Sequence, residues 1–284
     1  MTISRVGTSW LLRACAAGLC LLGGVSNADA QSLNPFGNPF AALTVPQKTM
    51  RFEIGADTAS SEGNRENDFA VRVTRKVGAM SSVSASAWTS PRDGDTAPTF
   101  QIGAASALSQ RAFVWVNMGG SPTSENVPNS QYDFGGSYVL DPQLIFLGTV
   151  SIRNYQGGPS VKLLAPSLAW VVNPKVMLVA TAINSHVSRL APGVTAGSNS
   201  ALFNLIVSPS PTFTLNLGTG YGESDFLAAA LTQSFSANTT AANFNAAATW
   251  KFTPSRGVLV SYWLDQGNGA YKTLSFQASA FFEF

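Results

Sequence analysis

From Thr49 to the end of the chain, apolar side chains return at every second residue, in run after run. Met50, Phe52, Ile54 and Ala56 fall on one side, and Arg51, Glu53 and Asp57 on the other. Phe69, Val71 and Val73 alternate with Asp68, Arg72 and Thr74, and Ala112, Val114, Val116 and Met118 form another such face. The pattern recurs at Leu144–Arg153, Thr212–Leu217, Asn243–Phe252 and Val258–Asp265. A period of two is the signature of extended chain, because successive side chains of a strand point to opposite faces. A helix would space its apolar residues three and four apart, and none of these runs does so. The chain is therefore expected to be all-β.

What covers so many apolar faces? A soluble sandwich would bury them in one core and carry more charge. Charged residues make up only 11% of this chain, against about 25% in soluble domains. Beyond residue 30 no apolar run reaches the roughly 18 residues of a helical membrane span. Low charge without such a run fits apolar surface spread over many strands that face lipid. In hydrocarbon every backbone N–H and C=O needs a partner within the protein, so such a sheet must close on itself. The expected fold is a transmembrane antiparallel up-and-down β-barrel. The final stretch agrees. Leu274, Phe276, Ala278, Ala280, Phe282 and Phe284 share one face, opposite Thr273, Ser275, Gln277, Ser279 and Glu283. A strand that ends in Phe resembles the terminal strand of bacterial outer-membrane barrels, whose assembly machinery reads that ending. Phe284 is thus the expected assembly signal.

The breaks between runs are of two kinds. Asp141-Pro142, Asn173-Pro174, Ser208–Pro211 and Thr253–Ser255 are tight turns: Pro presets φ, and Asp, Asn or Ser bonds back to the backbone. Thr58–Arg65, Ser90–Ala97, Gly119–Ser130, Asn184–Asn199 and Gly222–Thr239 read as longer polar loops. Alternating short and long connections give about fourteen strands, with twelve as the fallback, and place both ends of the barrel chain on the short-turn side.

Three segments follow. Residues 1–30 read as a cleaved signal peptide, with Arg5 and Arg13 in and near a positive n-region, an apolar run following from Ala14 to Val25, and Ala28-Asp29-Ala30 as the cleavage site. Residues 31–48, rich in Asn, Pro and Phe, read as a periplasmic leader, and 49–284 as the barrel. Cys15 and Cys20 are the only cysteines and lie in the first segment, which leaves no thiol for a disulfide or a metal in the rest.

Little catalytic chemistry is visible. His186 is the only histidine, and is expected in an external loop beside Ser185, Ser188 and Arg189. A triad also needs an orienting acid, and none lies between Pro142 and Gly222. A solvated loop histidine is the simpler reading, and a lipase-like rim site the alternative. No phosphate loop or metal-ligand cluster is present, and no cofactor, metal or nucleic-acid partner is expected. Charges facing lipid cost about 2–4 kcal/mol at the midplane. Arg51, Glu53, Asp57, Arg72, Arg111, Arg153, Lys162, Lys251 and Asp265 are therefore expected to line the lumen, either as a conduit or as paired charges that lock it. Phe113, Trp115, Leu164, Leu168, Trp170 and Trp263 would share that inner face and argue against a wide pore. Trp88, Tyr138, Tyr155, Tyr221, Trp250, Phe252 and Tyr262 are the expected interfacial aromatics.

Gly148-Thr149-Val150-Ser151-Ile152-Arg153-Asn154-Tyr155, followed by Leu163–Leu168, resembles the YaiO family of outer-membrane barrels. So do Gly135–Pro142 and Tyr221-Gly222. Members often carry helical repeats ahead of the barrel, whereas Gln31–Lys48 stands before this one, a departure from the family pattern that counts against a periplasmic scaffold role. The resemblance implies a barrel linked to envelope polysaccharide export and supplies no catalytic residues. The expected function is a non-enzymatic channel or solute-handling barrel of the bacterial outer membrane, the solute plausibly a saccharide. Outer-membrane lipids, lipopolysaccharide and the assembly machinery would be its partners. A rim-located hydrolase and a closed structural or adhesive barrel are the alternatives.

Overall fold

The computed structural model describes residues 48–61, 64–92, 95–122, 128–188, 195–223, 240–267 and 272–284. The expected signal peptide and nearly all of the leader lie outside the described residues. The strands are β1 (Met50–Ser61), β2 (Asn64–Gly78), β3 (Ser81–Arg92), β4 (Asp95–Ala107), β5 (Ala112–Gly120), β6 (Ser130–Val139) and β7 (Leu144–Asn154). Then come β8 (Ser160–Asn173), β9 (Val176–Ser188), β10 (Thr195–Ser210), β11 (Phe213–Glu223), β12 (Thr240–Thr253), β13 (Arg256–Gly267) and β14 (Lys272–Glu283). Each pairs antiparallel with its neighbours in sequence, and β14 returns to β1 to close the barrel. The seam is sealed at its end, where Phe284 N–H donates to the Met50 carbonyl (2.9 Å) and Met50 N–H to the Phe284 carbonyl (3.2 Å). The fourteen-strand expectation holds.

Alternation becomes burial. Along β9, Met177, Val179, Thr181, Ile183, Ser185 and Val187 are buried, while Leu178, Ala180, Ala182, Asn184 and His186 are exposed. The exposed side of the sheet carries Phe69, Phe100, Ile102, Phe134, Phe203, Phe244 and Phe276. A continuous apolar surface of this kind has no place in water, and hydrocarbon matches it. Among the described residues no helix is long and apolar enough to cross a membrane; the strands make the crossing.

One end of the barrel carries short turns built as the sequence suggests. Asp141 Oδ1 accepts from the backbone N–H of Gln143 (2.7 Å) and Leu144 (2.9 Å). Asn173 Oδ1 accepts from Lys175 N–H (2.8 Å). The opposite end departs from expectation. Thr58–Arg65 and Ser90–Ala97 are mostly strand, since β1 runs on to Ser61 and β3 to Arg92 before the chain turns into β2 and β4. Most of Asn184–Asn199 is likewise strand. Polar side chains mark where a strand leaves hydrocarbon, and the ladder continues past that point.

Large inward side chains are housed by glycine on the adjacent strand. The Trp115 indole lies across Gly135, and the Phe281 ring across Gly257; a Cβ at either glycine would meet the ring.

Candidate functional site: the inner wall

Inward residues sort into arcs around the ring. On β14, β1 and β2 the arc is charged. The Glu53 carboxylate accepts from the Arg51 guanidinium and stands 3.5 Å from Arg72 Nη1. Arg51 also lies 3.8 Å from Glu283 and stacks 4.1 Å from the Phe281 ring centroid. Ser275 Oγ donates to Asp57 (3.1 Å). Arg72 is only 1% exposed. Such a group is held inside only by carboxylate and hydrogen-bond partners.

The arc on β4 to β7 is centred on Asp133, which is buried. It accepts from Ser151 Oγ (2.6 Å), Gln131 Nε2 (2.7 Å) and Gln101 Nε2 (3.4 Å). Arg153 is buried on β7, two residues beyond Ser151. Across β7 to β10 the wall turns aliphatic: Ile145, Leu147, Leu163, Val179, Ile183 and Ile206 are among its buried members. From β10 to β14 it turns to amides, with Asn204, Asn216, Asn245 and Gln277 buried beside Trp263.

Of the residues expected in the lumen, Glu53, Asp57, Arg72 and Arg153 are buried on the inner side, with Arg51 partly so. Lys251 is half-buried near the short-turn end of β12. Asp265 lies on β13 between Asn243 and Thr273. Two depart. Arg111 is exposed in the turn ahead of β5, where its backbone carbonyl accepts from Val139 N–H (2.8 Å). Lys162 is exposed on the outer side of β8, opposite Ile152 and His186. The whole strand is shifted by one place relative to expectation: Leu164, Leu168 and Trp170 face out, and Val161, Leu163, Ala165, Ser167 and Ala169 face in. Both sides of β8 are apolar, so alternation could not orient it, and the single charge pointed the wrong way. A Lys two residues inside a strand end can face out because its ammonium reaches the polar headgroup layer.

His186 belongs to β9, not to a loop, and pairs with Lys162 and Gly197. It faces outward while Ser185 faces inward. Ser188 Oγ is turned to the Ser160 carbonyl (3.5 Å). Among the described side chains no carboxylate sits on the outer face, so nothing there orients the imidazole as a base. Among the described residues no cluster of three metal-binding side chains forms.

The aromatics divide as well. Tyr138, Trp250 and Phe252 are exposed near the short-turn end, the last two in edge-to-face contact at 4.9 Å. Tyr221 is exposed near the opposite end of β11. Tyr262 sits half-buried midway along β13. Trp88 and Tyr155 are not interfacial: both are buried, and Trp88 packs inside against Ala70. On β3 the outward places are taken by Val83, Ala85 and Ala87, which fixes Trp88 on the other side.

The amide arc was not among the site residues expected from the sequence. Its signal was present, since Asn243 and Asn245 alternate with Phe244 and Ala246.

No family model and no curated protein sequence matches the chain. Solved structures do match in fold. The CymD monoaromatic hydrocarbon channel is 11% identical and aligns over 90% of this chain and 93% of its own, with a TM-score of 0.57. The toluene transporter TbuX of Ralstonia pickettii is 9% identical over 87% of this chain and 94% of its own, also at 0.57. A bacterial polysaccharide outer membrane secretin is 6% identical over 84% of this chain and 99% of its own, again at 0.57. At these identities the likeness is one of fold, that of bacterial outer-membrane barrels.

Proposed function

We propose that this protein is a non-enzymatic channel of the bacterial outer membrane, passing a small solute along a close-fitting inner wall. One observation carries this reading: the inner side of a closed fourteen-strand barrel divides into a mainly aliphatic arc on β7 to β10, crossed by the hydroxyl pairs Ser167–Thr181 and Ser185–Ser198, and polar arcs around the rest. A barrel with a purely mechanical role needs no such division. The burial of so many inward side chains argues for a narrow path, with direct contact between wall and solute. The fold neighbours support a transport reading, being named as a hydrocarbon channel and a toluene transporter. The short YaiO-like motifs and the secretin's name point toward saccharide. Lipopolysaccharide and lipid would cover the outer face, and the assembly machinery would read Phe284. The rim-hydrolase reading loses its footing with His186 turned outward.

Purified protein, shown to be folded by its heat-modifiable migration, should give discrete current steps in planar bilayers. A flat trace from folded protein overturns the channel.

A further inference from the structure

One cross-strand row on the inner wall has an abrupt change of chemistry. Following Cα partners from β7 to β14, it reads Ile145, Ala169, Val179, Asn204, Gly218, Asn245, Trp263, Ser275. Every member is buried. The first three are aliphatic; from Asn204 onward the row is amide, glycine, amide, indole and hydroxyl.

The two amides converge on Gly218. A Cβ built at that position would collide with Asn204 Oδ1 and with both Asn245 side-chain polar atoms. Glycine therefore makes the notch into which they lean. Neither amide is fully used. Asn204 Oδ1 and Nδ2, Asn245 Nδ2 and Trp263 Nε1 are buried with no hydrogen-bond partner, and Gln277 Nε2, one step further along β14, is the same. Buried polar groups are normally paired, since leaving one unmade costs about 1–3 kcal/mol. Orphan amide atoms from two strands that meet over one glycine, with further orphans on the next two strands, mark a site whose partner comes from outside the chain.

Resting on the channel reading, we infer that this row is a solute-binding subsite for an uncharged, hydroxyl-rich ligand: a neutral saccharide. Amides both donate and accept, as hydroxyls do, and carry no net charge. No charged residue stands in the row, so an ionic solute finds no counter-charge there. The indole of Trp263 offers a ring face and a donor together. The aliphatic members on β7 to β9 suit the C–H face of a sugar ring. An aromatic hydrocarbon would use that half of the row and leave every amide unsatisfied.

The test uses the folded full-length barrel in detergent, titrated calorimetrically with maltose and, in parallel, with toluene and gluconate. Maltose should bind and should quench tryptophan emission in a way lost in Trp263→Phe. Asn204→Leu with Asn245→Leu, and separately Gly218→Ala, should weaken maltose binding at least tenfold. Heat-modifiable migration should be kept, because Leu in place of an unpartnered buried amide does not harm folding. Maltose binding that is absent, or that is equal in the wild type and the double variant, overturns the inference, as does toluene or gluconate binding more tightly than maltose. Current steps without any maltose response sink the subsite and leave the channel standing. Maltose binding without current steps does the reverse.

Discussion

Glu53 and Arg72 show how much a single inward position can decide. Arg72 is enclosed, and Arg51 approaches the same carboxylate from the other side. Removing one partner of a buried ion pair costs about 3–5 kcal/mol, while exchanging both for apolar residues of similar volume is often harmless. Glu53→Ala should therefore lower the urea midpoint of the barrel refolded in vesicles, and Glu53→Leu combined with Arg72→Met should recover most of the loss. A single variant that unfolds at the wild-type midpoint would show that these charges do not lock the wall. Glu53, Asp57 and Arg72 were readable in the sequence because clear apolar alternation flanks them. The meeting of Asn204 with Asn245 was not. An amide is neutral and tolerated on many surfaces, so only register reveals that two of them meet over Gly218.

Strand β8 marks the limit of pattern reading at the level of the element. Its sequence offers apolar residues to both faces, and a shift of one place exchanges inside for outside along the whole strand. Its neighbour β7 settles the matter: Ser151 and Arg153 fix its inner side, and the register sets Ile145 opposite Ala169, which meets Val179 from the other side. From Gln31 onward the sequence has no cysteine, so single-cysteine probes are unambiguous in protein expressed from that residue. Nitroxide placed at Leu164 or Leu168 should relax strongly with dissolved oxygen in lipid vesicles. At Leu163 or Ser167 oxygen access should be several-fold lower. The opposite ranking would mean that β8 is turned over. The strands outrun their apolar stretches for a related reason. Thr, Ser and Asn near Ser61 and Asn64 read as loop, yet their backbones stay paired well past the apolar stretch.

For the whole molecule, strand number and closure were legible because the number of alternating runs and the absence of a long apolar segment constrain a membrane chain to few solutions. What fills the interior was not, since it depends on which arcs face each other across the ring. Trp88, Trp115 and Trp263 are the bulkiest inward groups; Trp115 lies across Gly135 and Trp263 beside Asn245. If they narrow the path, Trp115→Ala should raise single-channel conductance several-fold with the heat-modifiable migration kept. An unchanged current would place the constriction elsewhere.

The seam between β1 and β14 has a consequence for connectivity. Met50 and Phe284 exchange two backbone hydrogen bonds, and every other pairing links strands already adjacent along the chain. A ring of this kind has no privileged beginning. A polypeptide opened between any hairpin and rejoined across that junction would keep every ladder intact, so the order in which the strands are synthesised is a matter for the cell and not for the final architecture.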